Sequence, residues 1–164
     1  MLVERDRLKF SIERFDHYYD SVNSKCAVFL ALSTFIVGAL ITGYPLIIEK
    51  TTSSIWIHLF VFALVGLGLT VMIVVIIAAT PFYSKGGNSL LYFGAIAELT
   101  LKDFQDGSAK LSADDELADL RNQVYQLSSG LQGKFKSLQL AGKLFTALFF
   151  LLIPLFILIA YHIK

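Results

Sequence analysis

A row of cationic and hydroxyl-bearing side chains recurs near the N-terminus at spacings of three or four residues. The row comprises Arg7, Ser11, Arg14, Tyr18, Ser21 and Lys25. This spacing places all six on one face of an α-helix. Guanidinium and ammonium groups bind phosphate through charge-assisted hydrogen bonds. The stripe predicts either a phosphate-bearing ligand or a solvated face whose cations attract anionic lipid.

A second polar cluster lies in the segment Lys85-Gly86-Gly87-Asn88-Ser89, which follows Pro81. A glycine-rich loop of this kind can surround an anion with backbone N–H groups. The GxxxxGK[ST] spacing of a phosphate-binding P-loop is missing, so a plain interfacial loop is the alternative.

Residues for catalysis or metal binding are sparse. The chain has no HExxH, no GxSxG and no cysteine cluster, and Cys26 is its single cysteine. The three histidines, His17, His58 and His162, are predicted to lie on opposite sides of a membrane. We therefore expect no catalytic residues, no metal and no cofactor, and we expect that the protein is not an enzyme.

The composition indicates membrane insertion. Of the 164 residues, 55% are hydrophobic and 16% are charged, and the mean hydropathy is +0.66. A membrane-spanning helix needs about 20 mostly apolar residues. Three runs meet this requirement or come close to it: Ala27–Ile48, Ile55–Ala79 and Leu144–Tyr161.

Charge sets the predicted topology. Twelve of the 14 lysines and arginines lie before the first run or between the second and third runs, and Lys50 and Lys164 are the other two. By the positive-inside rule, the N-terminus and residues 80–143 face the cytoplasm, and the chain crosses the membrane three times.

The predicted spans contain no Asp, Glu, Lys or Arg, which argues against a pump or a secondary transporter. Their hydroxyls include Thr34, Thr42 and Thr70. These hydroxyls either bond back to their own helix or line a pore formed by several subunits.

Two amphipathic segments complete the predicted architecture. Apolar residues recur from Leu8 to Cys26 and from Leu117 to Leu138, so the two seams are predicted to pack together. Thr100 with Asp103 and Ser112 with Asp115 indicate helix N-termini, and residues 106–112 are predicted to be a loop. Residues 90–97 are too short to span and are interfacial, re-entrant or part of the cytoplasmic core.

The predicted fold class is an all-α, oligomeric bundle of integral membrane helices. Its parts are a cytoplasmic amphipathic helix (1–26), three transmembrane helices (27–48, 55–79 and 144–161) and a cytoplasmic helical insert (80–143).

Three stretches together resemble the Pycsar-effector family of small bacterial transmembrane proteins and the related Hailong-type membrane effector. They are Glu13 to Tyr19 with Ser24-Lys25, Pro81 to Lys85 with Asn88 to Gly94, and Asp119-Leu120 with Gln123-Val124 and Lys134-Phe135. The resemblance covers most of the chain. It implies an anti-phage membrane effector that responds to a cyclic nucleotide or short oligonucleotide made by a partner synthase, and that compromises the membrane in abortive infection.

Combined with the sequence pattern, the resemblance suggests a nucleotide site and a pore. The candidate ligand residues are Arg14, Tyr18, Lys25, Lys85, Asn88, Ser89 and Arg121, and the candidate pore-lining residues are Thr34, Thr42 and Thr70. The expected partners are the nucleotide, membrane lipid and further copies of the chain, most simply in a tetramer. The alternative is a scaffold protein of the inner membrane that conducts nothing.

Overall fold

The structure is a computed structural model that describes residues 2–51, 55–81 and 89–162. The regular secondary structure in these ranges is α-helical throughout, which confirms the all-helical prediction. The helices are α1 (Leu2–Lys50), α2 (Ile55–Ala79), α3 (Phe93–Ile96), α4 (Leu101–Lys110) and α5 (Ala113–His162). By length and composition, α1, α2 and α5 are suited to cross a membrane, as the three apolar runs predict.

Two of these helices are about 50 residues long. Residues 2–26 of the predicted amphipathic segment and the predicted span 27–48 lie in one uninterrupted helix, α1, of 49 residues. The predicted amphipathic helix before the third span is likewise continuous with that span in α5, which has 50 residues. Pro45 and Pro154 lie inside these helices without ending them, because neighbouring helices can accommodate a proline in an apolar stretch.

The chain divides into two compact units. Unit one combines Met1–Ser21 with Pro81–Gly133, and unit two combines Val22–Thr80 with Lys134–Lys164.

In unit one, the first part of α1 lies parallel to the first part of α5. Near their N-termini, Arg5 pairs with Glu116 at 2.6 Å and Arg121 pairs with Glu4 at 2.8 Å. About four turns further along α1, the Tyr19 hydroxyl donates a 2.9 Å hydrogen bond to the Leu127 carbonyl. The contacts advance in the same direction along both helices, and Leu117, Leu120 and Leu131 of the predicted seam are buried. Within this unit, the predicted contact between the two amphipathic segments is confirmed.

Both predicted helix N-termini are confirmed. The Thr100 hydroxyl accepts the Asp103 N–H at 3.1 Å, and the Ser112 hydroxyl accepts the Asp115 N–H at 3.2 Å. Each bond satisfies a backbone donor that has no partner within its helix.

The predicted loop over residues 106–112 is wrong for 106–110, because α4 continues to Lys110 and the connection to α5 is residues 111–112. Gly107 is among the residues that are helical instead. It lies in the helix next to the Leu90 side chain, whose methyl carbons would be 3.6 and 3.7 Å from an added Cβ. A local glycine signal is here overridden by the helix N-terminus and by packing.

In unit two, α1 and α2 are antiparallel. Gly68 of α2 lies against Val37 of α1, where an added Cβ would collide with the valine side chain. Nearer the connection between the two helices, Tyr44 of α1 and His58 of α2 share a 2.7 Å hydrogen bond. The third helix packs alongside, with Phe145 of α5 in ring contact with Phe29 of α1. Side chains that are almost fully buried, including Leu64, Leu148 and Leu155, fill the centre of the unit.

The Tyr19 contact predicts a dependence of stability on alkaline pH. Burial, with a smaller contribution from the Asp16 carboxylate, raises the pKa of the Tyr19 phenol above its ordinary value of 10.0. The folded state therefore holds this proton more tightly, so its contribution is complete below pH 10 and is lost as the pH rises through the raised pKa. We expect the loss of thermal stability above pH 10 to be smaller in Tyr19→Phe than in the wild type, and equal losses would contradict this assignment.

Candidate functional site

An exposed cation lies between two aromatic rings on α1, in unit one. The Arg14 guanidinium is 5.8 Å from the ring centroids of both Phe10 and Tyr18, and it donates a 2.7 Å hydrogen bond to the Tyr18 hydroxyl. Phe10 is 57% exposed and Tyr18 38% exposed. We call these three residues the aromatic–arginine ladder. The ladder combines a positive charge with two partly exposed aromatic rings, which suits a ligand that carries both a phosphate and a base.

The structure places Ser89 in a buried turn of the same unit. Its hydroxyl oxygen is within 3.0 to 3.1 Å of three N–H donors, which belong to the Leu91 and Tyr92 backbones and the Gln123 side chain. The next residue is fixed as well, because the Leu90 N–H donates to the Asp119 carboxylate at 2.9 Å. Ser89 therefore attaches the segment before α3 to α5.

The other candidate ligand residues are dispersed. Arg121 donates a 2.9 Å hydrogen bond from Nε to Glu4 Oε1, and its Nη2 lies 2.8 Å from the same oxygen in an ion pair. Lys25 is exposed on α1 in unit two. Lys85 and Asn88 lie outside the described residues. Among the described residues, the bonds of Arg14, Ser89 and Arg121 form three separate groups.

The candidate pore residues are exposed on unit two. The hydroxyls of Thr34, Thr42 and Thr70 each donate a 2.8 Å hydrogen bond to the carbonyl four residues earlier. Such bonds satisfy the donors within the helix and leave an oxygen lone pair outward.

Two structurally informative residues were missed by sequence reasoning. Phe10 completes the ladder, and its position four residues before Arg14 was the available signal. Lys134 is 7% exposed, and its ammonium donates to the carbonyls of Ala78 at 2.7 Å and Thr80 at 2.8 Å, at the end of α2. The available signal was its position three residues after Leu131 and four before Leu138, which places it on the apolar seam.

The Ser89 contacts predict a local loss of stability. Ser89→Ala leaves up to three N–H groups without their acceptor, at a cost of about 1–2 kcal/mol. We expect faster amide hydrogen exchange at residues 89–96 with little change in α2, while Ser108→Ala, at an exposed site on α4, leaves exchange unaltered. Equal exchange in wild type and Ser89→Ala would show that the turn does not depend on this hydroxyl.

Comparison with known families gives a match over almost the entire chain. The model of the Pycsar effector protein domain (PycTM) matches residues 7–162. Searches of curated proteins and of solved structures gave no match. The matched range takes in α1 from Arg7 onward and every later helix. With its three apolar helices, the chain belongs to the Pycsar effector family of membrane effectors in anti-phage defence.

Proposed function

We propose that the protein is a homo-oligomeric channel of the bacterial inner membrane whose conductance is controlled by a nucleotide second messenger, and that membrane disruption then causes abortive infection. Cyclic nucleotides are the expected ligands of this family, and a partner cyclase supplies them. The observation that carries the proposal is the exposed aromatic–arginine ladder on a helix that continues into an apolar, span-length run.

Burial supports the oligomeric part of the proposal. In the most apolar 18-residue stretch of each long helix, few residues are buried within the chain: 22% in α1, 28% in α2 and 17% in α5. The remaining apolar surface must contact lipid or other subunits. Because side chains fill the centre of unit two, we propose that the conduction path lies between subunits, most simply four around a symmetry axis. Thr34, Thr42 or Thr70 would then face this path.

The chemistry of the ladder supports the nucleotide part. Arg14 is exposed, so it can bind a phosphate without first breaking a buried contact, and Phe10 and Tyr18 can stack on a base. A ligand shifts a channel between closed and open states only if it binds one of them more tightly. We assign no catalytic step to any residue, and we place the N-terminus and residues 80–143 on the cytoplasmic side, where the messenger is made.

Ion flux from liposomes tests the proposal directly. The purified protein is reconstituted into vesicles loaded with a fluorescent reporter and exposed to cyclic mononucleotides and short oligonucleotides. We expect one of these ligands to change the flux in a dose-dependent manner. Flux that is absent or unchanged with every nucleotide, from vesicles shown to contain inserted protein, would favour a non-conducting scaffold instead.

Arg14 gives the sharpest single-site prediction for ligand binding. Loss of a charge-assisted contact costs about 1.5–3 kcal/mol, so Arg14→Ala should raise the half-maximal nucleotide concentration by roughly tenfold or more. Lys9→Ala is the matched control, because it removes an exposed cation from the same helix outside the ladder. Equal dose responses for the two variants would show that the ladder does not bind the nucleotide.

A further inference from the structure

Unit two contains an open groove between α1 and α2. It has a volume of about 420 Å³. Cys26, Ala27 and Leu30 form one wall, and the other wall comes from the last turns of α2. The α2 wall consists of Val75, Ile76 and Ala79, so the interior of the groove is apolar.

The position of the groove identifies its environment. The first apolar run begins at Ala27 and the second ends at Ala79, and both of these residues line the groove. The boundaries of two predicted spans therefore meet there. Ile76, on the wall, and Ile77, the next residue, are 54% and 60% exposed, so apolar surface continues from the groove onto the outside of α2.

The rim at this boundary is polar. Asn23 and Thr80 line the groove and are both exposed. The ammonium of Lys134 donates to the carbonyl of Thr80 at 2.8 Å, and the Thr80 hydroxyl itself donates to the Ile76 carbonyl at 2.8 Å. A positive charge thus lies behind the same end of the groove that carries the amide and hydroxyl groups.

We propose that this groove binds a phospholipid, with one acyl chain between α1 and α2 and the phosphate oxygens at the Asn23 amide. The chemistry matches at both ends. The apolar walls exclude water from the hydrocarbon chain, the Asn23 amide supplies a hydrogen-bond donor, and the positive charge of Lys134 favours the anionic headgroup. This inference is independent of nucleotide control.

Lipid retention by the full-length protein tests the proposal. The protein is extracted from membranes in detergent, washed, and analysed for bound phospholipid per chain by mass spectrometry. The variants Ala27→Phe and Ala79→Phe fill the groove from opposite walls. Ala39→Phe and Ala63→Phe are matched controls, because they add the same side chain at exposed positions of α1 and α2 outside the groove.

We expect about one retained phospholipid per wild-type chain, and a fall of roughly threefold or more in both groove variants but not in the controls. Added phosphatidylglycerol should raise the melting temperature of the wild type and controls more than that of the groove variants. Equal retention in all five proteins would overturn the proposal. A groove variant that changes the oligomer size and keeps its lipid would also overturn it, by identifying a second copy of the chain as the occupant.

Discussion

Replacing Lys134 by methionine should lower the stability of the protein by about 2–4 kcal/mol, because the change removes the donor to two carbonyl oxygens at the end of α2. Methionine preserves most of the volume of the side chain, so the loss comes mainly from unsatisfied carbonyls rather than from a cavity. The effect should appear as a lower melting temperature in detergent and as faster hydrogen exchange in the last turns of α2.

Lys136 provides the matched control for this experiment. It lies two residues further along α5 and is exposed, so Lys136→Met removes the same charge without breaking these contacts. We expect its cost to be within about 0.5 kcal/mol. If the two substitutions destabilise the protein equally, the carbonyl contacts of Lys134 contribute nothing specific, and the general loss of positive charge explains both.

Substituting Gly68 by alanine should also destabilise the protein, by about 1–3 kcal/mol, because the new methyl group would overlap a γ-carbon of Val37. Valine is β-branched and has little freedom to turn away in a helix, so the two helices must separate. The companion change Val37→Ala should recover part of the loss. Thermal unfolding of the two single variants and the double variant measures this coupling.

Gly66 serves as the control for Gly68. It belongs to the same helix, two residues earlier, and an added Cβ at this position would have no neighbour within 4 Å. Alanine favours a helix over glycine by about 1 kcal/mol, so Gly66→Ala should be neutral or slightly stabilising. Destabilisation of similar size at both positions, without recovery by Val37→Ala, would refute the close approach of α1 and α2 at Gly68.

The sequence allowed the helices to be predicted far better than the candidate site. The three apolar runs, the two N-terminal caps and the packing of the amphipathic segments in unit one all follow from local periodicity and local hydrogen bonds. The loop predicted over residues 106–112 failed over 106–110, where α4 continues through Gly107 beside the Leu90 side chain. Local rules do not contain that information.

The site residues depend on contacts that periodicity does not specify. Arg14 and Tyr18 could be paired because they are four residues apart on one helix. The attachment of Ser89 to Gln123 spans 34 residues, and the bond from Lys134 to Ala78 spans 56. No repeat in the sequence indicates which distant side chains will meet, so these contacts required the three-dimensional structure.

The parallel alignment of α1 and α5 in unit one has a consequence for biosynthesis. The contacts that join them, Arg5 to Glu116, Tyr19 to Leu127 and Arg121 to Glu4, connect residues 108 to 117 positions apart. At about 5–20 residues per second, a ribosome adds the partner segment roughly 5–20 s after the N-terminal segment. The amphipathic N-terminus must therefore wait with an uncovered apolar face, where a chaperone or the lipid surface can bind it until residues 116–127 have been translated.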